Sequence, residues 1–136
     1  MKEAGVTFTG GCLCGAVRYV AEGRPLNVRA CHCDKCRRAT GGAFYARALF
    51  RQAQVAIEGR TASYPSSQRL DRVFCPRCGT TLFSRARDER QVIGVSLATL
   101  DDPGSAAPTE HIFVAEMLPW LKLDDGLPRR PGYAPQ

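Results

Sequence analysis

Along most of this chain apolar side chains recur at every second position, in short runs broken by Gly, Pro or Asp. That alternation is the signature of strands with one buried face rather than of long amphipathic helices. Val17, Tyr19 and Ala21 alternate within residues 16–21, which close on the turn Gly23-Arg24-Pro25. Similar strands are expected at residues 6–8, 26–30, 43–50, 69–74, 81–84 and 109–117. The strongest pattern is 92–100, which carries Val92, Ile93, Val95 and Leu97 and closes at Asp101-Asp102-Pro103-Gly104. Only residues 33–40 read as helix, about two turns, stopping at Gly41-Gly42. The tail after Pro119 is rich in Pro and Gly and is expected to lie extended over the surface. No internal repeat or linker divides the chain. Residues 1–136 therefore read as a single domain, mainly β, built from small sheets with one short helix.

The alternation leaves few long apolar runs, so something besides a core is expected to hold the sheets. Composition supplies it. Seven cysteines fall in three clusters: Cys12-Leu13-Cys14, Cys31-His32-Cys33-Asp34-Lys35-Cys36 and Cys75-Pro76-Arg77-Cys78. Met1-Lys2-Glu3-Ala4-Gly5 leads into a polar segment with no apolar signal region, and no run is long enough to span a bilayer. A cytoplasmic protein with no membrane role is the expectation, and there clustered thiols read as metal ligands before disulfides. An odd number of cysteines and the tight Cys12–Cys14 spacing also argue against a disulfide framework.

Seven sulfurs divide most simply as four plus three. A structural zinc takes four protein ligands, and a catalytic one usually takes three and keeps a position open. Cys31, Cys33 and Cys36 are close enough to face one ion, leaving Cys12, Cys14, Cys75 and Cys78 to close a tetrahedron. A different pairing, Cys12, Cys14, Cys31 and Cys33 on one ion with Cys36, Cys75 and Cys78 on another, would split the compact triplet. Zinc suits all-sulfur sites best, with an iron–sulfur cluster as the alternative. The vertex left by the triplet could be filled by water, His32 or His111, making the metal inert, or by an incoming sulfur or carbonyl oxygen. His32, set between two ligands, is expected to point away from the ion.

The formal charge is +6, and sixteen of the nineteen basic residues are arginine. Arg29, Arg37, Arg38, Arg72 and Arg77 crowd the clusters, where cations would offset thiolate charge. The arginines are otherwise spread along the whole chain and not interleaved with aromatics, which argues against a nucleic-acid patch. Two function classes stay open on these grounds: an enzyme using the second ion, and a non-catalytic zinc module that binds protein or nucleic acid.

Gly10-Gly11-Cys12-Leu13-Cys14-Gly15-Ala16-Val17-Arg18-Tyr19, Cys31-His32-Cys33-Asp34-Lys35-Cys36-Arg37 and Phe74-Cys75-Pro76-Arg77-Cys78-Gly79-Thr80 resemble the glutathione-dependent formaldehyde-activating enzyme family, which also includes centromere protein V. Late matches are Pro108-Thr109-Glu110-His111-Ile112, Pro119-Trp120 and Asp125-Gly126-Leu127-Pro128, so the likeness runs from about residue 10 to 128. The resemblance implies a mostly antiparallel β-tent of small sheets around zinc. It implies two zinc ions per chain: a structural one at Cys12, Cys14, Cys75 and Cys78, and a catalytic-type one at Cys31, Cys33 and Cys36. It also implies a carbon–sulfur lyase that joins a small thiol, glutathione in the namesake reaction, to formaldehyde or another small aldehyde, giving S-(hydroxymethyl)glutathione. On that analogy Arg37, Arg47 or Arg77 would clamp a substrate carboxylate, and His111 or Tyr45 would shuttle a proton. Trp120 is expected to be a hydrophobic plug.

Overall fold

A computed structural model describes residues 6–134 of the chain; the opening Met1–Gly5 segment lies outside them. Among the described residues ten strands form two sheets. The smaller has the order β1-β2-β5, from β1 (Thr7–Gly11), β2 (Arg18–Glu22) and β5 (Val55–Glu58), all antiparallel. The larger has seven strands in the order β10-β3-β4-β9-β8-β7-β6. Its members are β3 (Asn27–Cys31), β4 (Tyr45–Arg51), β6 (Ala62–Pro65), β7 (Leu70–Phe74), β8 (Thr81–Ala86), β9 (Val92–Ser96) and β10 (Glu110–Ile112). Neighbours are antiparallel except at one edge, where β10 runs parallel to β3. The chain is mainly β, as expected, with one α-helix among the described residues, α1 (Asp34–Thr40), at the central cysteine cluster.

The main core lies between the two sheets. Phe8 of β1 meets Phe50 of β4 edge-on at 5.8 Å between centroids, and Tyr19 of β2 meets Phe83 of β8 at 5.3 Å. Val17, Val73, Ile93 and Val95 fill the space around them. Burying each of these large side chains contributes roughly 1.5–3 kcal/mol. Tyr19 keeps its hydroxyl satisfied through Thr99 Oγ1 at 2.7 Å.

The other face of the large sheet is different. Strand alternation puts Ala48 and Phe50 of β4 into the main core and turns Tyr45 and Arg47 the opposite way. There Tyr45 joins Cys31, Cys36, Ile112 and Ala134 in a second buried cluster. Gly94 of β9 makes room on this face: a Cβ there would fall 2.5 Å from Ser84 Oγ and 2.9 Å from Arg47 Cδ. The sheet is thus apolar on one side and a buried polar band on the other.

Three expectations shift in detail. The strand foreseen at 92–100 ends at Ser96, and a single 3-10 turn, Leu97–Thr99, follows, pinned by Thr99 Oγ1 donating to the Ser96 carbonyl at 2.7 Å. The strand foreseen at 109–117 stops at Ile112, because Phe113 adopts a left-handed backbone at φ 58°. The tail is not merely draped: backbone N–H groups of His111 and Phe113 donate to the carbonyls of Pro128 and Gly132, and Arg130 N–H returns to His111 O at 2.9 Å. Among the described residues no helix is long and apolar enough to cross a membrane.

Candidate metal centres

The seven thiols are free, and their sulfurs gather in two sets. In the first, the ligand atoms of Cys12, Cys14, Cys75 and Cys78 all lie within 4.8 Å of one another. Two knuckles bring them together. In one, Cys12 N–H donates to Val17 O at 3.0 Å and Gly15 N–H to Cys12 O at 3.1 Å. In the other, Cys75 N–H donates to Thr80 O at 3.0 Å and Gly79 N–H to Cys75 O at 2.8 Å. Gly15 and Gly79 both sit at φ 81°, a backbone region that a side chain would strain, so the two turns are near copies.

The backbone of each knuckle is also aimed at sulfur. Val17 N–H points to Cys12 Sγ at 3.2 Å and Arg77 N–H to Cys75 Sγ at 3.4 Å. Cys78 Sγ lies 3.2 Å from the Thr80 hydroxyl, and this contact, with backbone help, pulls its thiol down to about 5. The thiolate is therefore favoured at Cys78, whereas at Cys14 the backbone N–H of Ala16 is outweighed by desolvation and the neighbouring thiols, which push it up to about 11. The sulfur separations of 3.7 Å (Cys12–Cys14) and 3.8 Å (Cys14–Cys75) test the fit to an ion. A tetrahedron with metal–sulfur bonds of about 2.3 Å has edges of about 3.8 Å, so the donor set suits zinc.

The second set is Cys31, Cys33 and Cys36, again with all three sulfurs within 4.8 Å. No other His, Cys or carboxylate ligand atom among the described residues joins it. Cys31 ends β3, Cys33 caps α1 with Sγ accepting from Cys36 N–H at 3.4 Å, and Cys36 lies one turn in. Cys31 and Cys36 are buried, while Cys33 is partly exposed and marks the approach from solvent. The three thiols share protons unequally: hydrogen bonding to Cys33 and to Cys36 pushes Cys31 far up, and bonds from Cys31 and Cys36 pull Cys33 far down.

His32, between Cys31 and Cys33, turns its ring away from the trio. It is fully buried, and burial first, then the neighbouring His111, pushes its imidazole down to about 4. Its Nε2 lies 2.9 Å from His111 Nδ1, and His111 Nε2 lies 2.7 Å from Asp125 Oδ2. The Asp125 carboxyl is held below its usual range by that bond, so it accepts from His111. His32 Nδ1, at the other end of the pair, is buried and has no hydrogen-bond partner. These are the chain's two histidines, joined end to end. Their proximity follows from the parallel pairing that sets His111 opposite Ala30.

The other candidates are scattered. Tyr45 lies against the trio with its hydroxyl 3.2 Å from Ser84 Oγ, and burial pushes it up to about 12. Arg37 Nε donates to His32 O at 3.2 Å, and Arg47 Nη1 donates to Asn27 Oδ1 at 2.7 Å. Arg77 belongs to the four-sulfur knuckle, so the three arginines are not gathered into one clamp. Trp120 is 67% exposed and plugs nothing. Sequence reasoning missed Asp125 as the partner of His111; it placed Arg72 among the arginines that offset thiolate charge but did not identify Cys36 as its partner.

A family profile described as glutathione-dependent formaldehyde-activating enzyme matches residues 7–116. An uncharacterized lyase of Schizosaccharomyces pombe is 33% identical over 76 residues, 56% of this chain and 56% of that one, so the chain matches little more than half of that relative's length. A Halomonas elongata protein provisionally named a glutathione-dependent formaldehyde-activating enzyme is 32% identical over 125 residues, covering 85% of this chain and 80% of that one. A crystal structure of a Rhodobacter sphaeroides protein superposes with a TM-score of 0.57 at 27% identity, covering 69% of this chain and 88% of that one.

Proposed function

The chain belongs to the glutathione-dependent formaldehyde-activating enzyme family, and on that premise we propose that it is a zinc-dependent carbon–sulfur lyase. It adds a small thiol of the glutathione kind to formaldehyde or another small aldehyde, or reverses that addition. The reading takes residues 1–136 as one zinc-binding domain acting in the cytoplasm.

One observation carries it. The chain collects four sulfurs in one set and three in another, and the set of three has its partly exposed member on the solvent side. The first donor set would hold a structural zinc at Cys12, Cys14, Cys75 and Cys78, and Cys31, Cys33 and Cys36 would hold a second. Zinc bound by three thiolates supplies a Lewis-acid position suited to keeping a soft thiol deprotonated at neutral pH. The protein's own part is to place and enclose. Helix α1 fixes Cys33 and Cys36 on one turn, and Gly41 closes it with N–H donating to Arg37 O at 2.8 Å. Ile112, Tyr45 and Ala134 keep water from the rear of the trio. In the addition the thiol sulfur bonds to the aldehyde carbon, and its proton goes to the carbonyl oxygen. Holding the two reactants together accounts for the rate gain.

The test is exchange spectroscopy on zinc-loaded protein with glutathione and isotopically labelled formaldehyde. Faster formation of the hydroxymethyl thioether, lost in Cys33→Ser, is the expected result. Exchange no faster than the uncatalysed rate with any small thiol or aldehyde would leave a binding module as the better description.

A further inference from the structure

A guanidinium taken out of water needs partners for its charge and its donors. Arg72 of β7 is 7% exposed, and its partners are unusual. Nη1 and Nη2 each lie 3.6 Å from Cys36 Sγ, so the whole fork faces one sulfur. Nε donates to Ser66 Oγ at 3.1 Å, and the guanidinium carbon sits 5.8 Å from the centroid of the Tyr45 ring. Ser66 Oγ is itself 3.4 Å from Leu70 O, which anchors it to the start of the same strand. The fork is oriented by a hydroxyl, an aromatic face and the sulfur it grips.

We propose that Arg72 is a positioning residue for the Cys31–Cys33–Cys36 set, gripping the Cys36 thiolate so that the set accepts an anionic sulfur as its fourth ligand. The inference rests on the reading of this set as a zinc site that receives a thiol. Three thiolates overcompensate a divalent ion by one negative charge, and a fourth thiolate would meet that charge in a buried place. A fixed cation on Cys36 offsets it. The forked N–H groups also draw electron density from the sulfur, which leaves the ion a better acceptor for the incoming ligand. A lysine could supply the charge but not the fork. The four-sulfur set differs: Cys12 and Cys75 receive backbone N–H groups instead, which bring no net charge.

The experiment loads native protein, Arg72→Gln, Arg72→Lys and Ser66→Ala with cobalt(II), counts ions per chain, and records the sulfur-to-cobalt charge-transfer band. Each sample is then titrated with glutathione. Arg72→Gln is expected to keep both ions, to move the band of the three-sulfur site to lower energy and to weaken glutathione binding about tenfold, the scale on which outer partners tune metal sites. Arg72→Lys should keep part of the binding but show the band shift. Ser66→Ala should move both readings the same way by less. A band and a binding constant that both stay at the native values in Arg72→Gln would overturn the proposal. Should Arg72→Gln not fold, native values in both Arg72→Lys and Ser66→Ala would overturn it equally. A native cobalt spectrum indifferent to glutathione would sink the thiol reading, and the band position alone would then decide whether Arg72 grips Cys36.

Discussion

The two sulfur sets sit in one chain yet differ in the balance of what supports them. The set of four is held by its own knuckles: two near-identical turns point backbone N–H groups at Cys12 and Cys75, and both residues belong to the main core. The set of three has one such backbone bond, from Cys36 N–H to Cys33 Sγ, and is otherwise surrounded by side chains from elsewhere, with Arg72 of β7, Tyr45 of β4 and Ile112 of β10 around it. Backbone support is local and neutral, and it leaves Cys14 exposed and Cys78 partly exposed. Side-chain support leaves one sulfur partly open and sets the local charge. The first suits holding a fold, and the second suits adjustable chemistry.

The contrast can be broken by substitution. Cys12→Ser should have the largest effect, because folding and metal binding are coupled and the structural ion supplies free energy comparable to the whole stability of a small domain, about 5–15 kcal/mol. Loss of a cooperative thermal transition, together with loss of one ion by elemental analysis, is the expected outcome; a native-like melt would show that the four-sulfur set is not what holds the sheets. His111→Ala comes next. It opens a cavity against the His32 ring and leaves His32 Nε2 without its partner in a fully buried ring, a cost of about 2–4 kcal/mol by chemical denaturation.

Gly94→Ala tests the polar band on the face of the large sheet away from the main core. Its Cβ would press on Ser84 Oγ and Arg47 Cδ, and overpacking of this kind costs about 1–3 kcal/mol. Cys33→Ser should barely change stability, within about 1 kcal/mol, since serine is itself a good helix cap and can accept from the Cys36 N–H in place of sulfur. Activity and one ion should nonetheless be lost. Equal destabilisation by Cys12→Ser and Cys33→Ser would erase the distinction between the sets.

The comparison also shows which parts of the molecule a sequence can disclose. Cysteine spacing is a local covalent pattern, so the gathering of Cys31, Cys33 and Cys36, and of Cys75 with Cys78, was legible in advance. Strands with one buried face, such as β2 with Tyr19 and Ala21 inward, declared themselves through alternation. β6 did not: Ser63, Tyr64 and Pro65 are exposed, so it is held to β7 by backbone pairing and leaves no hydrophobic trace. β5 is a four-residue strand of the small sheet, too short for its pattern to stand out. The His32–His111–Asp125 chain was hidden for another reason. It joins residues 79 and 14 positions apart, and only the register of β10 against β3 brings the two rings together. The Arg72 contact is hidden in the same way, 36 positions from Cys36.

The parallel edge of the large sheet has a consequence for synthesis. As the chain leaves the ribosome, the knuckle set has every donor once Cys78 has emerged, and can take its ion while the remaining residues are still being made. The trio emerges earlier, yet Ile112 and Ala134, which pack against it, follow long after it. Until then its sulfurs face the cell unshielded. The trio is made with its sulfurs open and gains this cover only once the chain has been extended as far as Ala134.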